Sequence, residues 1–241
     1  MQKDCLPTAS NFGAFVYCGA KFFFDKDENL AAERQKTGES YDKSLKTQMR
    51  EWGQQNEPEC IDWLLKKYNL PASSVIYDGT AENAKTIQAD MPQTKTRMQC
   101  KPDLLLEINK ELHLYEFKSV SDTDYLKRPL QEHAIAQVWC YRYIQGAEWI
   151  KSYNVFRYAG HPFLKDHPPK INQPFSHILE LHEEKFISLF QQYIEILEKI
   201  NKKTIKEKDL TDLHRPQGDA RKCNRCYYYK KNKCTDYFCG L

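Results

Sequence analysis

The chain has no apolar run approaching the roughly 18 to 20 residues that a membrane span needs. Its first ten residues, MQKDCLPTAS, lack the apolar centre of a secretion signal. Both absences make the expected protein soluble and intracellular, in the cytoplasm and without a membrane partner. Charge of one sign is also missing: 36 Lys and Arg stand against 33 Asp and Glu, a net +3. No global field announces a nucleic-acid binder, although the sign permits one. The seven histidines form no HxxxH-type pair, which argues against a histidine-based metal site. Internal repeats and low-complexity linkers are absent as well. What remains is 241 residues with 41% apolar content, enough for one substantial domain with a single main core.

Cysteine is plentiful by comparison. There are nine, and Cys223, Cys226, Cys234 and Cys239 fall in the last nineteen residues. An odd count without a signal peptide argues against a disulfide framework, so the terminal cluster points to a metal. Cys223-Asn-Arg-Cys226 has the spacing by which one loop presents two thiolates to one ion, and Cys234 follows eight residues later. Cys60, Cys100 and Cys140 lie in apolar surroundings and read as core thiols.

Periodicity orders the chain. Residues 6 to 24 read as a short amphipathic helix running into an aromatic stretch, and 57 to 70 as a helix ended by Pro71. Residues 73 to 99 are polar with short β-like pieces. DLLLEI (103 to 108) and LHLYEFKSV (112 to 120) read as two strands of a hairpin turned at Asn-Lys-Glu. A helix over 130 to 146, closed by Gly146, a strand over 149 to 160 and a long helix over 175 to 203 follow.

The hairpin carries the chemistry. It brings Asp103, at the start of one strand, beside Glu116, near the end of the next, and period-2 alternation puts Lys118 on the face of Glu116. Two converging carboxylates form a hard-oxygen site suited to Mg²⁺ or Mn²⁺, and a neighbouring lysine stabilises developing negative charge or orients a water. The bland counterpart is a solvated hairpin face carrying acids and a base.

In Pro102-Asp103 and Glu116-Phe117-Lys118 the sequence resembles the PD-(D/E)XK nuclease superfamily. Gln137 and Tyr141, at i and i+4 on the next helix, match the QxxxY element of its RecB-like branch. Upstream, WGQQNEP resembles the GxxxE element that opens the branch's first core helix, which maps Glu57 onto a further metal ligand, with Glu59 as competitor. FVYCGAKFFF is similar to the N-terminal element of iron-sulfur nucleases in this branch, among them the fourth CRISPR-associated (Cas) protein family.

That resemblance implies an α/β fold: a restriction-endonuclease-like core with a central mixed β-sheet flanked by helices. The core spans 51–205, with an accessory subdomain from 1–50 and 206–241 joined at a [4Fe-4S] cluster on Cys18, Cys223, Cys226 and Cys234. Gly19-Ala20 stands where the family has Pro-Arg, and seven residues separate Cys226 from Cys234 where five are usual, so Cys239 competes with Cys234. Cys5 is a weaker N-terminal alternative, and a zinc knuckle of the four terminal cysteines is the competing cofactor.

The implied activity is a metal-dependent exonuclease on single-stranded DNA ends. Glu57, Asp103, Glu116 and the Phe117 carbonyl hold Mg²⁺ or Mn²⁺, while Lys118, Gln137 and Tyr141 complete the catalytic set. CRISPR integrase proteins are the implied partners. Lys127, Arg128, Arg142 and the basic, tyrosine-rich tail are candidate DNA contacts, the tail reading equally well as a solvated loop around a metal. Two alternatives stay open: a zinc-stabilised recombination-type exonuclease and a catalytically silent DNA-binding adaptor.

Overall fold

The computed structural model describes residues 6–26, 40–120 except 93, 130–159, 183–205 and 209. In chain order the elements are helices α1 (Ala9–Tyr17), α2 (Gly19–Lys26) and α3 (Ser40–Tyr68), then strands β1 (Val75–Asp78), β2 (Ile87–Asp90), β3 (Arg97–Cys100), β4 (Leu104–Ile108) and β5 (Glu111–Val120). Helix α4 (Glu132–Tyr141), strand β6 (Ile150–Ala159) and helix α5 (Glu183–Asn201) complete them. Among the described residues no helix is long and apolar enough to cross a membrane.

Four strands make the main sheet in the order β1-β4-β5-β6, antiparallel at the first two junctions and parallel at the last. The architecture is therefore α/β with a mixed sheet. The β4–β5 hairpin turns at Asn109 and Lys110, both left-handed with φ of 53° and 67°, the pair of positive φ values that a type I′ turn requires. Asparagine adopts that conformation readily, whereas Lys110 does so at a steric cost. Parallel strands need a crossover, and α4 lies within the one joining β5 to β6.

β4 is buried on both faces, so its sequence reads as a continuous apolar run. Leu104, Leu106, Phe117 and Phe156 face α3, where Cys60, Ile61 and Leu64 meet them. Leu105, Leu114 and Val155 belong to the other face, together with Phe12 of α1, Trp139 of α4 and Tyr193 of α5. One core was expected; the sheet divides the apolar interior into two.

Phe12 stands 5.7 Å from Trp139 and 5.3 Å from Phe190, ring centre to ring centre. Burying each such ring stabilises the fold by roughly 1.5–3 kcal/mol, which locks α1, α4 and α5 into one layer. At Gly13 the fit is tightest: a Cβ there would come within 2.9 Å of the His133 carbonyl oxygen, so α1 approaches α4 at a step that only glycine fits.

Three expected helices differ in extent. The first breaks at Cys18, whose extended backbone (φ −169°, ψ 109°) separates α1 from α2. The second begins far upstream of residue 57: α3 runs for 29 residues with Pro58 inside it. Its C-terminus is set by Asn69 rather than Pro71, since Asn69 turns left-handed (φ 52°) and Leu70 N–H closes back on the Leu65 carbonyl at 2.9 Å. The third stops at Tyr141, short of Gly146. Residues 143 to 145 leave the helix to pair with β2, through Asp90 N–H to the Tyr143 carbonyl at 3.0 Å and Gln145 N–H to the Gln88 carbonyl at 3.1 Å. The long last helix is described from Glu183 onward, and its expected first turns lie outside the described residues.

Candidate active site

Leu104 pairs with Tyr115 across the hairpin, so Asp103, one residue before β4, comes level with Glu116. Asp103 Oδ2 accepts the Phe117 N–H at 2.6 Å. The carboxylate thereby replaces the strand partner that Phe117 lacks beyond the end of β4. Gly79 fixes the same corner from the other side, its N–H donating to the Asp103 carbonyl at 2.9 Å.

Glu116 is buried, with 2% of its surface exposed, and it is satisfied by a closed loop of four side chains. Lys118 Nζ donates to Glu116 Oε1 and, at 3.1 Å, to Gln137 Oε1. Gln137 Nε2 donates to Tyr141 Oη at 3.0 Å, and Tyr141 Oη donates to Glu116 Oε2 at 2.9 Å. The i, i+4 spacing of Gln137 and Tyr141 on α4 matches the i, i+2 spacing of Glu116 and Lys118 on β5, which is why each helix residue meets one strand residue.

Glu57 arrives from the opposite layer. Gly53 lies against the ends of β5 and β6, where a Cβ would stand 3.2 Å from Ser119 Oγ. Tyr158 Oη donates to the Gly53 carbonyl at 2.8 Å and ties α3 to β6. One turn further on, Glu57 is half-buried within electrostatic reach of Glu116, Lys118 and Asp103. Glu59 is exposed and is not among the charges acting on Asp103.

The electrostatics are those of crowded carboxylates. Burial, then Glu116, hold the Asp103 carboxyl well above the usual carboxylate range. Burial and Glu116 push Glu57 up in the same way. Desolvation opposes the Lys118 ammonium, yet the Glu116 and Asp103 carboxylates outweigh it and raise its pKa. Tyr141 is held well above the ordinary phenol value by burial and by Glu116, so it remains a proton donor.

The donor set fits a hard divalent cation: carboxylate oxygens in excess over one lysine, on acids whose mutual repulsion a cation relieves. In the arrangement described, Asp103 Oδ2 and both Glu116 oxygens are turned to protein donors, and among the described residues no three His, Cys, Asp or Glu side chains converge into a ready-made metal cage.

Some contributors were not singled out from the sequence. Ser10, at the start of α1, lies 3.4 Å from Gln137 Nε2. Asp78 of β1 acts electrostatically on Glu57 while its carboxylate caps Thr80 N–H at 2.8 Å. Lys101 acts on Glu57 as well, and its position beside the Pro102-Asp103 pair was the available clue.

Arg142 is the C-cap residue of α4 and acts electrostatically on Tyr153. Cys18 sits at the α1–α2 joint, partly exposed. The other expected ligands, Cys223, Cys226, Cys234 and Cys239, lie outside the described residues, as do Cys5, Lys127, Arg128 and the basic tail. Cys60, Cys100 and Cys140 are buried thiols, and burial pushes Cys100 up to about 12.

No family model matches the chain, and no curated protein does. A solved structure of the protein SSO0001 superposes with a TM-score of 0.46 at 12% identity, over 95% of this chain and 85% of that one. A likeness of that degree identifies neither a fold family nor an activity.

Proposed function

We propose that the chain is a metal-dependent DNA exonuclease acting on single-stranded ends, built on a PD-(D/E)XK core. The observation that carries this reading is the convergence of Asp103, Glu116 and Lys118 on one hairpin end, with Gln137 and Tyr141 closing the loop around Glu116. Glu57, Asp103, Glu116 and the Phe117 carbonyl are the groups assigned to Mg²⁺ or Mn²⁺, which when bound acidifies a water and polarises a phosphoryl oxygen.

The remaining roles belong to the chain. Asp103 is fixed by the Phe117 N–H, so it needs no rotamer search to act as a ligand. Tyr141 and Lys118 hold both oxygens of Glu116 and set its orientation. The Lys118 ammonium stays charged through neutral pH, because its pKa is raised, and it neutralises charge growing on the phosphate. Gln137 aims that ammonium by accepting a hydrogen bond from it through Oε1.

End-labelled single-stranded DNA is expected to be degraded in Mn²⁺, and Asp103→Ala is expected to lower the rate on the order of 10³-fold. That loss corresponds to about 4 kcal/mol of charge stabilisation at about 1.36 kcal/mol per factor of ten. Full activity in Asp103→Ala would remove the site assignment.

Resemblance to the CRISPR-associated family makes CRISPR integrase proteins the proposed partners. It also assigns Cys18, Cys223, Cys226 and Cys234 to a [4Fe-4S] cluster. Anaerobically purified protein is then expected to show a broad visible absorption shoulder near roughly 400 nm, from cysteinyl thiolates on iron. A colourless protein with stoichiometric zinc replaces the cluster by a zinc knuckle.

A further inference from the structure

We propose that Lys101 contacts the phosphate backbone of the nucleic acid at this site; the inference rests on the nuclease reading and names the residue that receives its substrate. Lys101 stands between β3 and the Pro102-Asp103 corner. Its backbone is held in the site, since the Lys101 carbonyl lies 3.3 Å from Tyr141 Oη, the hydroxyl that also meets Glu116. Its side chain is exposed and makes no hydrogen bond or ion pair among the described residues.

Lys118, with 29% of its side chain exposed, is already committed to Glu116 and Gln137. Among the described residues Lys101 is the other cation acting on the Glu57 carboxylate, and its side chain is exposed to water. A phosphodiester approaching the carboxylates is repelled by them until a cation intervenes. Lys101 supplies one at the rim, on a flexible stem with no ion pair among the described residues to break before it reaches a phosphate oxygen. Phosphate contacts of this kind fix register without reading sequence, so the ligand class is single-stranded DNA of any sequence.

The test separates binding from chemistry. Full-length protein carrying Asp103→Asn, in Ca²⁺, is titrated into a fluorescently labelled 20-nucleotide single strand at several salt concentrations. Adding Lys101→Gln is expected to weaken binding about 5- to 10-fold at low salt and to lower the slope of log K against log salt by about 0.7, the value for one lost contact to a single strand. Lys101→Arg is expected to keep the slope. Lys110→Gln, in the turn at the far end of the hairpin, is expected to leave both affinity and slope unchanged.

An unchanged slope in Lys101→Gln overturns the assignment, and so does an absence of measurable DNA binding by the parent protein. If the wild type binds DNA with the Lys101 dependence but degrades none in Mn²⁺, the nuclease reading fails while the phosphate contact stands.

Discussion

Asp103→Asn is expected to melt at a higher temperature than the wild type at pH 7 in the absence of divalent ions. Burial and the neighbouring Glu116 raise the Asp103 pKa in the folded state well above its ordinary value near 3.8. A carboxyl whose folded pKa is raised binds its proton more tightly when folded. Its contribution is therefore destabilising above the folded pKa and is relieved as pH falls towards the unfolded value. Asparagine removes the charge but keeps an oxygen that accepts the Phe117 N–H. Each kcal/mol gained raises the melting temperature by about 2–4 °C in a chain of this size.

Two controls accompany that measurement. The gap between variant and wild type is expected to narrow as the pH is lowered from 7, where the wild-type carboxyl takes up its proton. Mn²⁺ at about 100 times its dissociation constant is expected to stabilise the wild type by about 2.7 kcal/mol and the variant far less, which reverses their order. Differential scanning calorimetry with and without Mn²⁺ reads all three effects. An Asp103→Asn protein that melts at or below the wild-type temperature at pH 7 without metal contradicts the electrostatic account.

Gly79→Ala is expected to cost about 3 kcal/mol, the upper end of overpacking penalties, and to lower the melting temperature by about 6–12 °C. A Cβ on Gly79 would lie 1.9 Å from the Pro102 carbonyl oxygen and 3.0 Å from its carbon. Both are backbone atoms, so no side-chain rotation relieves the clash. The turn after β1 must instead pull away from the Pro102-Asp103 corner, and the Gly79 N–H to Asp103 carbonyl bond goes with it. The proposed nuclease activity is expected to fall further than stability alone accounts for, because Asp103 itself is displaced.

Gly53→Ala makes the contrast. Its Cβ would meet Ser119 Oγ at 3.2 Å, a side-chain atom that yields by rotating at the loss of its hydrogen bond to Tyr158, and the expected cost is about 1 kcal/mol. Thermal melts of the two variants side by side decide the matter, and a Gly79→Ala protein within about 2 °C of wild type would show that the corner yields.

What could be read from the sequence follows what is local. The hairpin was legible because apolar runs flank Asn109-Lys110, and Asp103, Glu116, Gln137 and Tyr141 are each placed by spacing along a strand or a helix turn. The upstream part of α3 was not, because residues 40 to 56 present no apolar stripe, and Pro58 resembles the first residue of a helix rather than an interior one. The end of α4 was hidden because the deciding partner, β2, lies more than forty residues away. Local pattern gave no hint that residues 143 to 145 exchange helical bonds for strand ones. The β2–β3 pair, four residues on each side, was too short to stand out from polar surroundings.

The crossover through α4 has a consequence for folding. Asp103 and Tyr141 bound a stretch of 39 residues that contains two strands, the helix that returns over them and the whole loop of side chains around Glu116. Contacts so close along the chain close early and at small entropic cost. Of the proposed metal ligands Glu57 alone comes from outside this stretch, 46 residues before Asp103, and it is brought in by the docking of α3. The carboxylate pair thus belongs to a locally encoded unit, while the third proposed ligand arrives only when α3 has docked on the sheet.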